Sequence, residues 1–233
     1  MTNGAVDTAF EARAAEIRTR IAGAAANAGR DPADVTVVAV CKTFPRSYVN
    51  AAYDAGFRVF GENRVQEIRD KFEVPLPDDA HLHLIGPLQT NKAKQVIRYV
   101  DCIESIDRAR LVDTLAKELA KQERTCSALV QVNIAGEAQK SGCDPDEAES
   151  LVRQIMDVPE LSCDGLMTIA PFVDDPETIR PMFRGLREMR DRLHESTGLP
   201  LPILSMGMSG DFEVAIAEGA THVRIGRALF GER

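Results

Sequence analysis

VTVVAVCKTFP, Val35 to Pro45, is a run of small and β-branched apolar residues that ends in one lysine and is broken by a proline. Period-two alternation puts Thr36, Val38, Val40 and Lys42 on one face and Val35, Val37, Ala39 and Cys41 on the other. Both faces are largely apolar, the pattern of a parallel strand covered on both sides. Lys42 stands at the carboxyl end, where open α/β sheets and (β/α)8 barrels collect their chemistry. It reads in two ways. A lysine that caps a strand reaches water along its own stem. A lysine kept among apolar neighbours loses solvation of its charged form, and the neutral amine then attacks a carbonyl to form a Schiff base.

Outward from this strand the chain alternates. Residues 7–29 predict an amphipathic helix on Phe10, Ala14, Ile17, Ile21 and Ala25, stopped by Gly29. After Lys42 come a helix over Arg46–Ala55, a strand over Phe57–Phe60 and a helix opening at Gly61. HLHLIG is a third strand, followed by a helix in GPLQTNKAKQVIRYV with Pro87 at its start. A fourth strand ends at Ile106, and Asp107 is expected to cap a helix through Lys121. Strands over Ser127–Ile134, Leu161–Met167, Leu201–Ser205 and His222–Ile225 complete the set, with helices over Asp144–Met156, Pro176–Ser196 and Ser209–Glu218 and a short one from Arg227. Eight strands alternating with helices, after one extra amino-terminal helix, predict a single α/β domain over residues 1–233: a (β/α)8 TIM-type barrel.

Composition narrows the function classes. A net charge of −8 argues against general nucleic-acid binding, because no basic excess exists to neutralise phosphates. No run approaches the ~20 apolar residues that span a bilayer. The start lacks a basic segment followed by an apolar core, so no signal peptide is expected and the cytoplasm is the expected location. The cysteines are 41, 102, 126, 143 and 163; none forms a CxxC pair, which favours reduced thiols over a disulfide framework or zinc ribbon. His81 and His83 make an HxH on one strand face, but without nearby Cys or acidic ligands no metal site is expected.

The second informative stretch is LSMGMSGDFEVAIAEGATHVRIGRALFGER. Loops after strands seven and eight of such barrels bind phosphate through backbone N–H groups. Ser205, Gly207, Ser209, Gly210 and Gly226 fall there, with Ser205 and Ser209 competing for the hydroxyl contact. Asp211 and Glu213 oppose an anion if they point inward. In HVRIG, Arg224 shares a face with His222 and Gly226 and is expected to point into the barrel. There it either pairs with an interior acid or donates to a ligand's ring nitrogen. Asn63 reads either as a ligand contact or as a helix cap.

A Schiff-base lysine, a phosphate cradle and an inward arginine are the parts of a pyridoxal phosphate site. VAVCKTFP, FGENRVQE, HLIGPLQTNK, IESID, QVNIAGEAQKSG, GLMTIAP and SMGMSGDFEVAIAEGATHVRIGRALFG, in that order, resemble the pyridoxal phosphate homeostasis proteins, whose barrel is similar to the amino-terminal domain of alanine racemase. The resemblance implies pyridoxal 5′-phosphate held by Lys42 as a Schiff base. It implies phosphate contacts from Ser205, Gly226 and the backbone of Arg227, and Arg224 facing the pyridine nitrogen. Asn63 then lies near the ring hydroxyl and Met167 in the pocket wall. Many members have Thr or Ser where this chain has Arg227, so a hydroxyl contact is lost.

An arginine on the pyridine nitrogen weakens the electron sink that most enzymes of this cofactor maintain with an acid. Alanine-racemase-like enzymes add a second domain that supplies a tyrosine acid/base, and Tyr48, Tyr53 and Tyr99 here fall on or beside outer helices. The expectation is therefore a monomer that buffers or delivers the cofactor, with cofactor-dependent apoenzymes as recipients and without robust catalysis. The alternatives are a weak amino-acid racemase or other Schiff-base enzyme, and a barrel with a vestigial site. The polar loop Ala135–Asp144 is expected to order over the cofactor, and Cys41 is expected to pack on the outer face.

Overall fold

The structure, a computed structural model, describes residues 3–136 and 141–232. Its eight parallel strands are β1 (Thr36–Val40), β2 (Val59–Glu62), β3 (His81–Leu84), β4 (Cys102–Ile106), β5 (Cys126–Gln131), β6 (Leu161–Met167), β7 (Ile203–Met208) and β8 (His222–Ile225). They pair in sequence order and β8 closes on β1, with Val38 opposite Arg224, so the predicted barrel forms. The helices are α1 (Asn3–Asn27), α2 (Arg46–Asp54), α3 (Val65–Lys71), α4 (Ala93–Val96), α5 (Ala109–Gln122), α6 (Ala148–Met156), α7 (Arg180–Thr197), α8 (Phe212–Ala217) and α9 (Arg227–Phe230).

Alternation within β1 sorts as the sequence implies. Ala39 and Cys41 join the main core between sheet and helices. Val38 and Val40 turn into the lumen, where they meet Val59 and Ile85. Burying apolar surface on both faces, at about 25 cal/mol per Å2, stabilises such a two-sided strand. The extra helix α1 lays its Phe10–Ala14–Ile17–Ile21 stripe against the last unit. Arg13 Nε donates to Leu229 O at 2.8 Å and Arg20 pairs with Glu213 at 2.6 Å.

Several boundaries differ from the sequence reading. β2 runs to Glu62 instead of stopping at Phe60, because the sheet pairs Gly61 with Val40 and Glu62 with Leu84. Pro87 precedes no long helix: a 3-10 turn over Thr90–Lys92 leads into the single turn of α4. Asp107 caps nothing; it pairs with Arg108, the residue that precedes α5. Ser209 does not cap α8, which starts after Asp211. The Ala135–Asp144 loop includes residues 137–140, outside the described residues; its base is tied by Asn133 N–H donating to Cys143 O at 3.0 Å.

β7 carries the most consequential shift. It continues three residues beyond Ser205, and a register break lies between Ser205 (opposite His222) and Met208 (opposite Arg224). Gly207 sits in this bulge at φ 92, a backbone region that favours glycine. A side chain there would also meet Ala215 Cβ at 2.6 Å. The bulge leaves Ser205 in mid-strand and carries Ser209 to the rim.

Candidate functional site

The mouth of the barrel is set by three adjacent strand ends. Val40 is opposite Gly61, so Lys42 and Asn63, each two residues further on, leave the sheet side by side. On the other flank, Ala39 is opposite Ile225, which brings Gly226 beside Val40: a Cβ on Gly226 would lie 3.5 Å from the Val40 carbonyl oxygen. Lys42, Asn63 and Gly226 are all half-buried. Asn63 caps no helix, since α3 starts after Arg64.

Ser209 approaches from β7, where its hydroxyl accepts the N–H of Ala228 at 3.4 Å. The Arg227 side chain is exposed, so this position offers the mouth its backbone. The two acids that opposed an anion are accounted for. Glu213 faces out to Arg20. Asp211 is folded back on its own loop, accepting Met208 N–H at 2.5 Å. Burial raises its carboxyl, against the Met208 hydrogen bond and the charge of Arg224.

Gly86, just past β3, shapes the same rim. A Cβ there would lie 2.2 Å from Asn63 O and 2.7 Å from Asn63 Cα, so the two backbones touch only because Gly86 has no side chain. Ser105 holds this glycine by donating to its carbonyl at 2.7 Å. Gly86→Ala is expected to cost about 1–3 kcal/mol, the range for overpacking, and to push Asn63 off its position. Denaturant unfolding reads the first effect and ligand affinity the second.

Below the mouth a polar chain crosses the lumen. His83 Nδ1 lies 2.7 Å from Glu104 Oε1, and Ser205 Oγ donates to Glu104 Oε2 at 2.5 Å. Arg224 donates through Nη1 to Ser205 Oγ at 2.7 Å and Ser205 O at 2.8 Å, and through Nη2 to Thr168 O at 2.7 Å. A guanidinium has five N–H donors, so donors remain for a ligand above it. Burial would raise Glu104, but hydrogen bonding and charge from His83, with Arg224 and the Ser205 hydroxyl, bring it below the usual carboxylate range. Burial lowers Arg224, with Glu104 and Asp211 opposing. The chain separates the Val38–Val40–Val59–Ile85 cluster from one formed by Cys102, Leu129 and Met167.

The structure thus divides the two serines. Ser209 reaches the rim, whereas Ser205 is fully buried with its hydroxyl already engaged by Glu104 and Arg224. Met167 is buried in the lumen, and its neighbour Thr168 gives Arg224 an acceptor. Tyr48, Tyr53 and Tyr99 pack against the helical layer. Of the HxH pair, His83 turns into the lumen while His81 is an exposed residue at the strand start. No cluster of three or more potential metal ligands occurs among the described residues.

His222, stacked on His83 with ring centroids 6.2 Å apart, adds a pH dependence. Burial pushes it down to about 4; Glu104 pulls upward, while His83 and Arg224 reinforce the fall. An unfolded histidine takes its proton near 6.5, so the unfolded chain binds more protons between these values. Stability is therefore complete above pH 6.5 and lost as pH falls towards 4, by about 3 kcal/mol from this residue. Glu104, depressed in the fold, acts in the same direction at more acid pH. Unfolding free energies across this window should flatten in His222→Gln.

Behind Lys42, on the outer face, lies a second buried group. Lys71 Nζ contacts Glu62 Oε1 at 2.5 Å and donates to Cys41 O at 2.7 Å, and the Cys41 thiol donates to Glu62 Oε1 at 3.2 Å. Cys41 faces away from the lumen, as read. Burial and the Glu62 charge raise its thiol well above its ordinary value, so it remains protonated and donates.

Sequence reasoning did not assign roles to Glu104, His83, Glu62, Lys71 or Gly86. The available signal was an acid inside an otherwise apolar strand, in IESID and in FGEN.

The chain matches the family described as alanine racemase, N-terminal domain, over residues 13–233. It is 43% identical to the pyridoxal phosphate homeostasis protein of Aquifex aeolicus over 221 residues, covering 95% of this chain and 97% of that one. A solved structure of an unknown protein from Bifidobacterium adolescentis superposes with a TM-score of 0.91 at 37% identity, covering 98% and 97% of the two chains. PipY of Synechococcus elongatus, solved with pyridoxal phosphate bound, superposes with a TM-score of 0.82 at 32% identity, covering 95% of this chain and 100% of PipY. With likeness of this depth running nearly end to end in sequence and in fold, the chain belongs to the pyridoxal phosphate homeostasis protein family, built on the alanine racemase N-terminal type of barrel.

Proposed function

We propose that this protein binds pyridoxal 5′-phosphate through a Schiff base on Lys42 and serves the homeostasis of that cofactor by holding it and passing it on. The observation that carries the reading is the juxtaposition of Lys42, Asn63 and Gly226 on three adjacent strand ends above buried Arg224. The donor set fits the group. Lys42 supplies the amine, Asn63 an amide for the ring hydroxyl, and Arg224 a guanidinium for the ring nitrogen. Ser209, Gly226 and the Arg227 backbone take the phosphate. Ser205 is assigned instead to holding Arg224, because its hydroxyl is committed in the lumen. Met167 and Thr168 close the β6 side. PipY, a relative with the cofactor bound, supports the ligand class.

When bound, the cofactor supplies a reactive aldehyde and an electron-withdrawing ring. The residues here secure the first without strengthening the second. Arg224 cannot be deprotonated under ordinary conditions, so it offers hydrogens to the ring nitrogen and gives it no proton. The tyrosines are partly buried and packed against the core that lies between sheet and helices. Holding and handing on, with cofactor-dependent apoenzymes as recipients, thus fits the geometry better than turnover. A cytoplasmic monomer completes the proposal.

The test is a visible absorbance spectrum of the purified protein with added cofactor, before and after borohydride, with peptide mass mapping. A band whose reduction fixes the cofactor to Lys42 supports the reading. A protein that stays colourless and unmodified overturns it. Efficient racemisation of an amino acid by the loaded protein would overturn the homeostatic role and leave the site standing.

A further inference from the structure

β1 ends at Val40, and Lys42 lies two residues beyond the last strand residue. The peptide groups on both sides of its Cα are nevertheless held. The carbonyl before it, Cys41 O, accepts Lys71 Nζ at 2.7 Å. The N–H after it, Thr43 N, donates to Glu67 Oε2 at 2.7 Å. Glu67 and Lys71 stand four residues apart on α3, one turn of the helix, so a single helix face grips both peptides. Thr43 is held at φ 66, a left-handed conformation that a threonine adopts only when its surroundings impose it.

Lys71 is itself fixed by Glu62, which is fully buried and whose Oε2 has no hydrogen-bond partner. A buried ion pair with one oxygen unsatisfied is a net burden on stability. Packing alone would be served better by an apolar pair. Glu62 is also the residue before Asn63, so the same strand end carries one group that sets the lysine peptide and one that faces the mouth.

We propose that Glu67 and Lys71 are positioning residues for Lys42, with Glu62 the buried counter-charge that keeps Lys71 in place. This deepens the reading given above and rests on it. By fixing both peptide planes, α3 sets the direction in which the Lys42 stem leaves the strand and aims its amine at the aldehyde. A group held in attack geometry has already lost the orientational freedom that would otherwise slow the reaction.

The experiment measures the rate at which pyridoxal phosphate becomes borohydride-fixable on Lys42. It uses the full chain and its variants Glu67→Ala, Glu67→Gln and the double variant Glu62→Gln with Lys71→Met. The double variant removes both charges together, so no unpaired ion is left buried. Glu67→Ala and the double variant are expected to attach the cofactor about tenfold more slowly, the scale of a small misplacement of the reacting group. Glu67→Gln keeps an acceptor for Thr43 N–H and is expected to stay within about twofold of the parent, because the hydrogen bond, not the charge, does the gripping. Binding of pyridoxamine phosphate, which has no aldehyde, should be unchanged in all three.

Parent-like attachment rates in Glu67→Ala and the double variant would overturn the positioning role while leaving Lys42 as the attachment point. So would an equal loss of pyridoxamine phosphate binding, which would mean general loosening. No attachment to the parent chain would defeat the assignment of Lys42, and the positioning role with it.

Discussion

Lys42→Ala is expected to reduce borohydride-fixable pyridoxal phosphate at the barrel mouth to zero. Among the described residues the next lysine along the chain, Lys71, lies on the outer face and is bound to Glu62 and to the Cys41 carbonyl, so it cannot substitute. Ser209, Gly226 and Arg224 remain in the variant. Non-covalent binding should therefore persist at reduced affinity, and equilibrium dialysis against the cofactor measures it. Lys42→Arg restores the positive charge without a nucleophilic amine. It should likewise form no adduct, which separates nucleophile from charge. A visible band of parent intensity in Lys42→Ala would place the attachment elsewhere.

The second large effect is on stability. Glu104→Leu should cost about 3–5 kcal/mol in denaturant unfolding, the penalty for stranding a buried charge. Arg224 is buried and its link to a countercharge runs through Ser205 to Glu104. Removing the carboxylate leaves the guanidinium with only the charge of Asp211 opposing it, and takes the acceptor from Ser205 and the partner from His83. Glu104→Gln keeps the shape and one carbonyl acceptor and should cost less. Adding Arg224→Met to Glu104→Leu should recover much of the loss, because an apolar pair no longer carries the desolvation penalty. Full additivity of the two single changes would mean that the chain is not coupled.

These expectations show which information the sequence carried. The barrel was legible in β1, where alternation, two-sided apolarity and a terminal lysine agree. The inward direction of Arg224 followed from the same alternation in HVRIG. What was hidden depends on barrel closure. Glu104 and Ser205 are 101 positions apart and meet only because β4 and β7 face each other across the lumen. The end of β7 was misplaced because the bulge at Gly207 adds a residue, which no period-two pattern anticipates. Ser205 lies before that bulge, opposite His222, and Ser209 lies beyond it. Asp107 resembled a cap by type, but its neighbour Arg108 holds it instead. Glu62 and Lys71 drew no pairing from the sequence, and the sheet's extension to Glu62 is what buries the acid beside the lysine.

The polar chain from His83 to Arg224 links β3, β4, β7 and β8 across the lumen, with apolar clusters beside it, and the interior of such a barrel is a packed core. The barrel is therefore a vessel with a floor and not a tunnel. Cargo held at Lys42, as proposed above, would arrive and depart through one doorway. On that proposal loading and unloading would take turns there, and a recipient that draws near to collect would also shut out the next delivery.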